Sequence, residues 1–80
     1  MSAVRDQLRS LIAEIGEIDN PESIGDSADL YKDLGLDSMQ AMEIVLEIEQ
    51  RYNIAVPEQA LRTIRTLDDA VKLVETLQKQ

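Results

Sequence analysis

An all-α fold, a small bundle of three main helices plus one short helix with a long loop between the first two, is predicted by three observations on this 80-residue sequence. Apolar residues recur at the i, i+3, i+4 spacing of an amphipathic helix in three stretches, no segment alternates with period two for long enough to make a strand, and turn-forming residues gather in one region. The first helix, over about residues 3–17, is built on Val4, Leu8, Leu11, Ile12 and Ile15, with Ser2 placed as its cap and Gly16 near its end. Asn20-Pro21 then opens a polar connection through Ser23, Gly25, Asp26, Ser27 and Asp29, whose short side chains bond their own backbone and favour turns; it runs to about Gly35. Leu30, Tyr31, Leu34 and Leu36 interrupt it, so the loop is expected to pack across the bundle.

The second helix is predicted from Ser38 to Tyr52, with Met42, Val45, Leu46, Glu49 and Tyr52 at helical spacing and Asn53 at its end. Its start is heavily marked: Asp37 can cap the free N–H groups while Gln40, three residues on, bonds back in a capping box. Val56-Pro57-Glu58 begins a short third helix reaching about Arg62, with Pro57 in the first turn, where its missing N–H costs nothing. Thr66 caps the last helix, whose stripe is Leu67, Ala70, Val71, Val74 and Leu77, with Asp68 and Asp69 favourable to the helix dipole.

A content of 44% hydrophobic and 30% charged residues, with no repeat or linker, predicts one small domain over residues 1–80. At this size only about 60% of the unfolded chain's surface is buried, so stability is expected to be marginal. Sixteen acids against eight bases leave a net charge of −8, which repels phosphates and anionic lipid and favours basic protein surfaces; neither nucleic-acid binding nor membrane insertion is expected. The charge is uneven, at −5 over residues 1–36, −4 over 37–60 and +1 over 61–80. Without Cys or His the chain has no disulfide, no thiolate or imidazole metal ligand, and no Ser/His or Cys/His pair, so no catalytic residue is assigned and an enzyme is not expected. Asp26, Asp29, Asp33 and Asp37 are spaced three and four apart, unlike a calcium-binding loop, and no metal site is assigned. Arg5, Asp6 and Arg9 stand where a signal peptide needs an apolar run, which predicts a cytoplasmic protein.

The sharpest chemical signal is Asp33-Leu34-Gly35-Leu36-Asp37-Ser38-Met39. Serine in a first helical turn is commonplace, yet the free N–H groups there would accommodate a phosphate esterified to it. No base is available to activate the hydroxyl, with Lys32 the only lysine nearby in sequence, so Ser38 is expected to be modified by something else rather than to react itself.

This run, with Glu43-Ile44-Val45 and Glu47-Ile48-Glu49 after it, resembles the acyl carrier proteins, which carry Leu-Gly-(Leu/Met)-Asp-Ser-Leu at the same helix start. The resemblance extends over nearly the whole chain through its length, its acidity, the long first loop and Ile54-Ala55-Val56-Pro57. It implies that a phosphopantetheinyl transferase joins 4′-phosphopantetheine from coenzyme A to Ser38, and that the new thiol holds acyl groups as thioesters for fatty-acid, lipid or polyketide enzymes. Met39 replaces the usual Leu, and Gln40 and Arg51 stand where many fatty-acid carriers are acidic. By the same resemblance Asp37, Glu43 and Glu47, with Met39 and Met42, would meet Arg and Lys on partner enzymes, charge setting the encounter and apolar groups the short-range contact. The carrier is expected to be a monomer.

Glu43 and Glu47 also form an i, i+4 like-charge pair, mildly unfavourable on a helix. Val45, Leu46, Ile54, Leu61, Ile64 and Val74 read first as core, and the first five as walls of an acyl pocket should the bundle, whose core has no Phe or Trp, open between helices two and three. An aminoacyl, peptidyl or D-alanyl carrier, or an unmodified acidic adaptor for a basic partner, are the alternatives.

Overall fold

The computed structural model describes residues 3–79. Helices α1 (Ala3–Ile15), α2 (Ser38–Tyr52), α3 (Glu58–Leu61) and α4 (Leu67–Gln78) are joined by a long first loop that includes a 3₁₀ turn, Pro21–Ser23. Among the described residues there is no strand, only one isolated antiparallel bridge between Asp29 and Thr66. The all-α expectation stands.

Helix α1 stops two residues short of the expected end. Gly16 N–H and Ile18 N–H donate to the Ile12 and Ala13 carbonyls, both at 2.8 Å, and Glu17 takes the left-handed conformation (φ 56°) that closes the turn. Gly16 serves packing instead: a Cβ there would lie 2.9 Å from Leu36 Cδ2 and 3.0 Å from the Ile12 carbonyl, so its absence lets Leu36 lie on the end of α1. The cap expected at Ser2 lies outside the described residues.

At α2 both partners of the capping box are present, Gln40 N–H donating to Asp37 Oδ1 (2.8 Å) and Asp37 N–H to Gln40 Oε1 (3.0 Å). Asn53 ends the helix in the left-handed region, as its type suggests. The buried face, however, is Ile44, Val45 and Ile48, not a stripe through Met42, Val45 and Leu46. Leu46 is 50% exposed and Met42 45%, which corrects the expectation of Leu46 in the core. Each residue turns about 100° around the axis, and a stripe drawn one step late takes in a residue from the solvent flank.

Pro57 is the N-cap of α3 rather than part of its first turn, and α3 buries none of its residues. Thr66 caps α4 as expected, with Asp69 completing a capping box. Leu67, Ala70, Val71 and Val74 are buried, while Leu77, a turn further on, is only partly so. The four buried residues join Leu8, Leu11, Ile12 and the α2 face in one apolar cluster.

The long loop does pack across the bundle, since Ile24, Leu30 and Leu36 are buried in that cluster. Polar ties fix its path. Arg9 Nε donates to the Ile24 carbonyl (3.2 Å), Arg5 and Arg9 both pair with Asp26, and Arg5 also reaches Asp68. Asp68 N–H donates to the Asp26 carbonyl (3.0 Å) and Leu30 N–H to that of Arg65 (2.7 Å), so the loop is pinned to the link between α3 and α4 and to the first turn of α4.

Asp29 organises this junction. Its Oδ1 accepts N–H bonds from Lys32 (2.8 Å) and Tyr31 (2.9 Å), and Oδ2 accepts from Arg65 Nε (3.4 Å). The Lys32 bond foremost, then the Tyr31 bond and Arg65, hold the carboxyl below its usual range against the opposing effect of burial. A depressed folded-state pKa contributes stability that is present above the unfolded value of about 3.9 and is lost as pH falls through the lower folded value. Asp29→Asn is therefore expected to be less stable than the wild type at pH 6 and to show a shallower loss below pH 4. Urea unfolding midpoints across that range check it, and parallel curves would remove Asp29 from the account.

Candidate functional site

Ser38 is the first residue of α2. Everything ahead of it is fixed by turn chemistry: Gly35, at φ 73°, makes the left-handed step that L residues resist, its N–H bonds to the Tyr31 carbonyl (3.1 Å), and Leu36 N–H bonds to that of Leu30 (3.1 Å). Behind it, the capping box holds the helix start, and Gln40 Nε2 reaches the Ile15 carbonyl at the end of α1 (3.4 Å). Ser38 itself is exposed, and its hydroxyl makes no hydrogen bond among the described residues.

One side of the Ser38 turn opens onto a cavity of about 200 Å³. Ser38, Ala41, Met42, Val45 and Ile48 line it at helical spacing along one face of α2, with Ile44 beside them. Leu30 and Tyr31 come from the loop, Leu61 and Arg62 from the end of α3, Ile64 from the link and Ala70 from α4. The wall is apolar apart from Ser38, Tyr31 and Arg62, and Arg62 is its sole charged residue among those described.

The residues singled out from sequence are not all brought together. Val45, Leu61 and Ile64 line the cavity, and Val74 is fully buried in the core. Leu46 and Ile54 do not line it. Leu46 is a step round the helix from Val45 and lies in a second groove with Leu11, Glu14 and Ile15 of α1 and Glu43, Glu47 and Gln50 of α2. Ile54 follows the left-handed Asn53 and packs against the core cluster away from the opening.

The docking candidates divide in the same way. Met42 stands at the cavity, Met39 projects from the first turn at 74% exposure, and Asp37 is exposed while serving as the cap. Glu43 and Glu47 belong to the groove on the α1 side. Glu47 pairs with Arg51 at 3.3 Å, an i, i+4 contact that relieves the expected repulsion from Glu43.

Sequence reasoning missed Leu30, Tyr31, Ala41, Ile44, Ile48, Arg62 and Ala70 as cavity residues. Ile44 and Ile48, themselves at i, i+4, carried a readable signal, and so did Leu30-Tyr31 inside a polar loop. Arg62 carried none.

A phosphate ester fits this hydroxyl. Ser38 Oγ is accessible and unbonded, and the N–H groups of Ser38 and Met39 lie ahead of the first backbone bond of the helix, where Gln40 N–H is taken by Asp37 and Ala41 N–H by the Asp37 carbonyl. An apolar chain leaving that point meets an apolar wall at once.

Residues 6–79 match the family model described as the phosphopantetheine attachment site. The chain is 31% identical over 74 residues to the acyl carrier protein of Wolinella succinogenes, covering 92% of this chain and 96% of that protein. It is 35% identical over 75 residues to the acyl carrier protein of Phenylobacterium zucineum, covering 94% of each. Among solved structures, hexanoyl ACP from the actinorhodin polyketide synthase of Streptomyces coelicolor superposes with a TM-score of 0.79 at 25% identity, over 92% of this chain and 88% of that one.

Proposed function

Because the chain belongs to the acyl carrier proteins, a family that works through a covalently attached 4′-phosphopantetheine, we propose that Ser38 is the residue that takes this group. Such carriers are not themselves catalytic. A separate phosphopantetheinyl transferase, using coenzyme A as donor, would make the ester. The observation that carries the assignment is that Ser38, accessible and unbonded at a capped helix start, is the sole serine lining the apolar cavity among the described residues.

Once bound, the group supplies a terminal thiol on which acyl groups are held as thioesters. The remaining work falls to the chain's own side chains. Val45, Leu61 and Ile64, with Ile44, Ile48 and Leu30, offer an apolar wall that shields an acyl chain from water. Asp37, Met39, Met42, Glu43 and Glu47 present acidic and apolar groups to fatty-acid, lipid or polyketide enzymes with basic docking surfaces. Leu46, half-exposed between Glu43 and Glu47, belongs with that docking face rather than with the cavity. In this reading the protein is a monomer that docks briefly on each enzyme. No helix among the described residues is long and apolar enough to cross a membrane.

Intact mass measured after incubation with coenzyme A and a broad-specificity transferase tests the assignment. The wild type is expected to gain one phosphopantetheinyl group and Ser38→Ala none. A wild type that gains nothing, or an alanine variant that gains the same mass, overturns it.

A further inference from the structure

The chain carries two acids for every base, and its arginines accordingly find carboxylates. Arg5 pairs with Asp26 and Asp68, Arg9 with Asp6 and Asp26, Arg51 with Glu47, and Arg65 with Asp29. Arg62 is the exception. Its guanidinium makes no hydrogen bond or ion pair among the described residues; only its backbone N–H is bonded, to the Gln59 and Ala60 carbonyls at the end of α3. The helix dipole does not account for it, because four residues make too small a dipole to need a cation. What Arg62 does share is a cavity wall with Ser38, across the opening between α2 and α3.

Resting on the assignment of Ser38 above, we propose that Arg62 is the residue that holds the phosphodiester of the attached arm. Esterification puts a permanent anion on Ser38, next to the exposed carboxylate of Asp37, in a protein already at −8. Water and the open α2 N–H groups meet part of that charge, and the remaining cost falls if a cation faces it. Guanidinium suits a phosphodiester better than ammonium does, because its planar fork can meet two phosphate oxygens at once. With one end of the phosphate covalent to α2 and its oxygens held from α3, modification ties the two walls of the cavity together at its mouth. Arg62 then ceases to be an unpaired cation on an acidic molecule.

Nitrogen-15 and phosphorus-31 NMR on the wild type, Arg62→Gln, Arg62→Lys and Arg65→Gln, each before and after modification verified by intact mass, test the proposal. Arg62 is exposed and makes no side-chain bond that its replacement would break, so every Arg62 variant is expected to fold. In the wild type the Arg62 Nε–H resonance is expected to shift on modification. The phosphorus line is expected to move and sharpen in Arg62→Gln, to recover in part in Arg62→Lys, and to stay in place in Arg65→Gln, whose arginine already faces Asp29. An Arg62 Nε–H signal identical in the two forms of a fully modified wild type would overturn the role of Arg62 and leave Ser38 untouched. A wild type that gains no mass would overturn both.

Discussion

Ile48→Ala is expected to lower the free energy of unfolding by about 2–5 kcal/mol, while Leu46→Ala, two positions away on the same helix, is expected to change it by only about 0.5 kcal/mol. Both remove the same kind of aliphatic side chain from α2. Ile48 is 0% exposed and lies in the apolar cluster, so its loss leaves a hole that its neighbours fill only in part. Leu46 is 50% exposed in the groove against α1, where water already reaches it. An 80-residue chain holds roughly 4–12 kcal/mol of stability, so the first substitution removes a large share of it and is expected to show partial unfolding at physiological temperature. Urea titrations with unchanged slope and shifted midpoint provide the comparison. If Leu46→Ala proved the more damaging of the two, the buried face of α2 would have to be redrawn one residue later.

Loading the arm with acyl chains of increasing length is expected to raise the melting temperature steadily to about six carbons and then level off. Each methylene moved from water to an apolar wall gains about 0.8 kcal/mol. The ceiling comes from volume. A dry apolar cavity of about 150 Å³ holds one benzene, and the space beside Ser38 is about 200 Å³, so a longer chain must push helices apart to enter. Chemical shifts and amide exchange are expected to change at Val45, Leu61 and Ile64, which line the cavity, and to stay still at Ile54, which does not. A melting temperature independent of chain length, with those resonances unmoved, would show that the chain stays in solvent. Narrowing the cavity with Ala41→Leu is expected to bring the plateau to shorter chains, which separates entry into this space from a general effect of acylation.

Much of the architecture was legible because its signals are local. The capping box at Asp37–Gln40, the cap at Thr66, the left-handed end at Asn53 and the apolar residues inside the polar loop are settled within a few residues of chain, and all are found where the residue types put them. What could not be read was phase and partnership. An isolated α2 offers Met42, Ile44, Val45, Leu46 and Ile48 as apolar groups around more than half its circumference, and which of them are buried depends on where α1 and α4 lie. Gly16 looked like a helix terminator, yet its requirement is set by Leu36, twenty residues on. The same holds at the candidate site. Ser38 was legible from its neighbours in sequence, whereas Arg62 became visible only once the link after α3 was seen to border the same opening.

The shortness of α3 has a consequence for how cargo changes hands. It is one turn long and buries none of its residues, whereas α1, α2 and α4 supply most of the apolar cluster. Elements with few buried groups open at a small fraction of the global unfolding free energy. The space beside Ser38 thus has well-buried sides in α2, the first loop and α4, and one side, α3, that yields more easily. A tethered passenger can slip in or out past that side while the frame of the molecule stays folded.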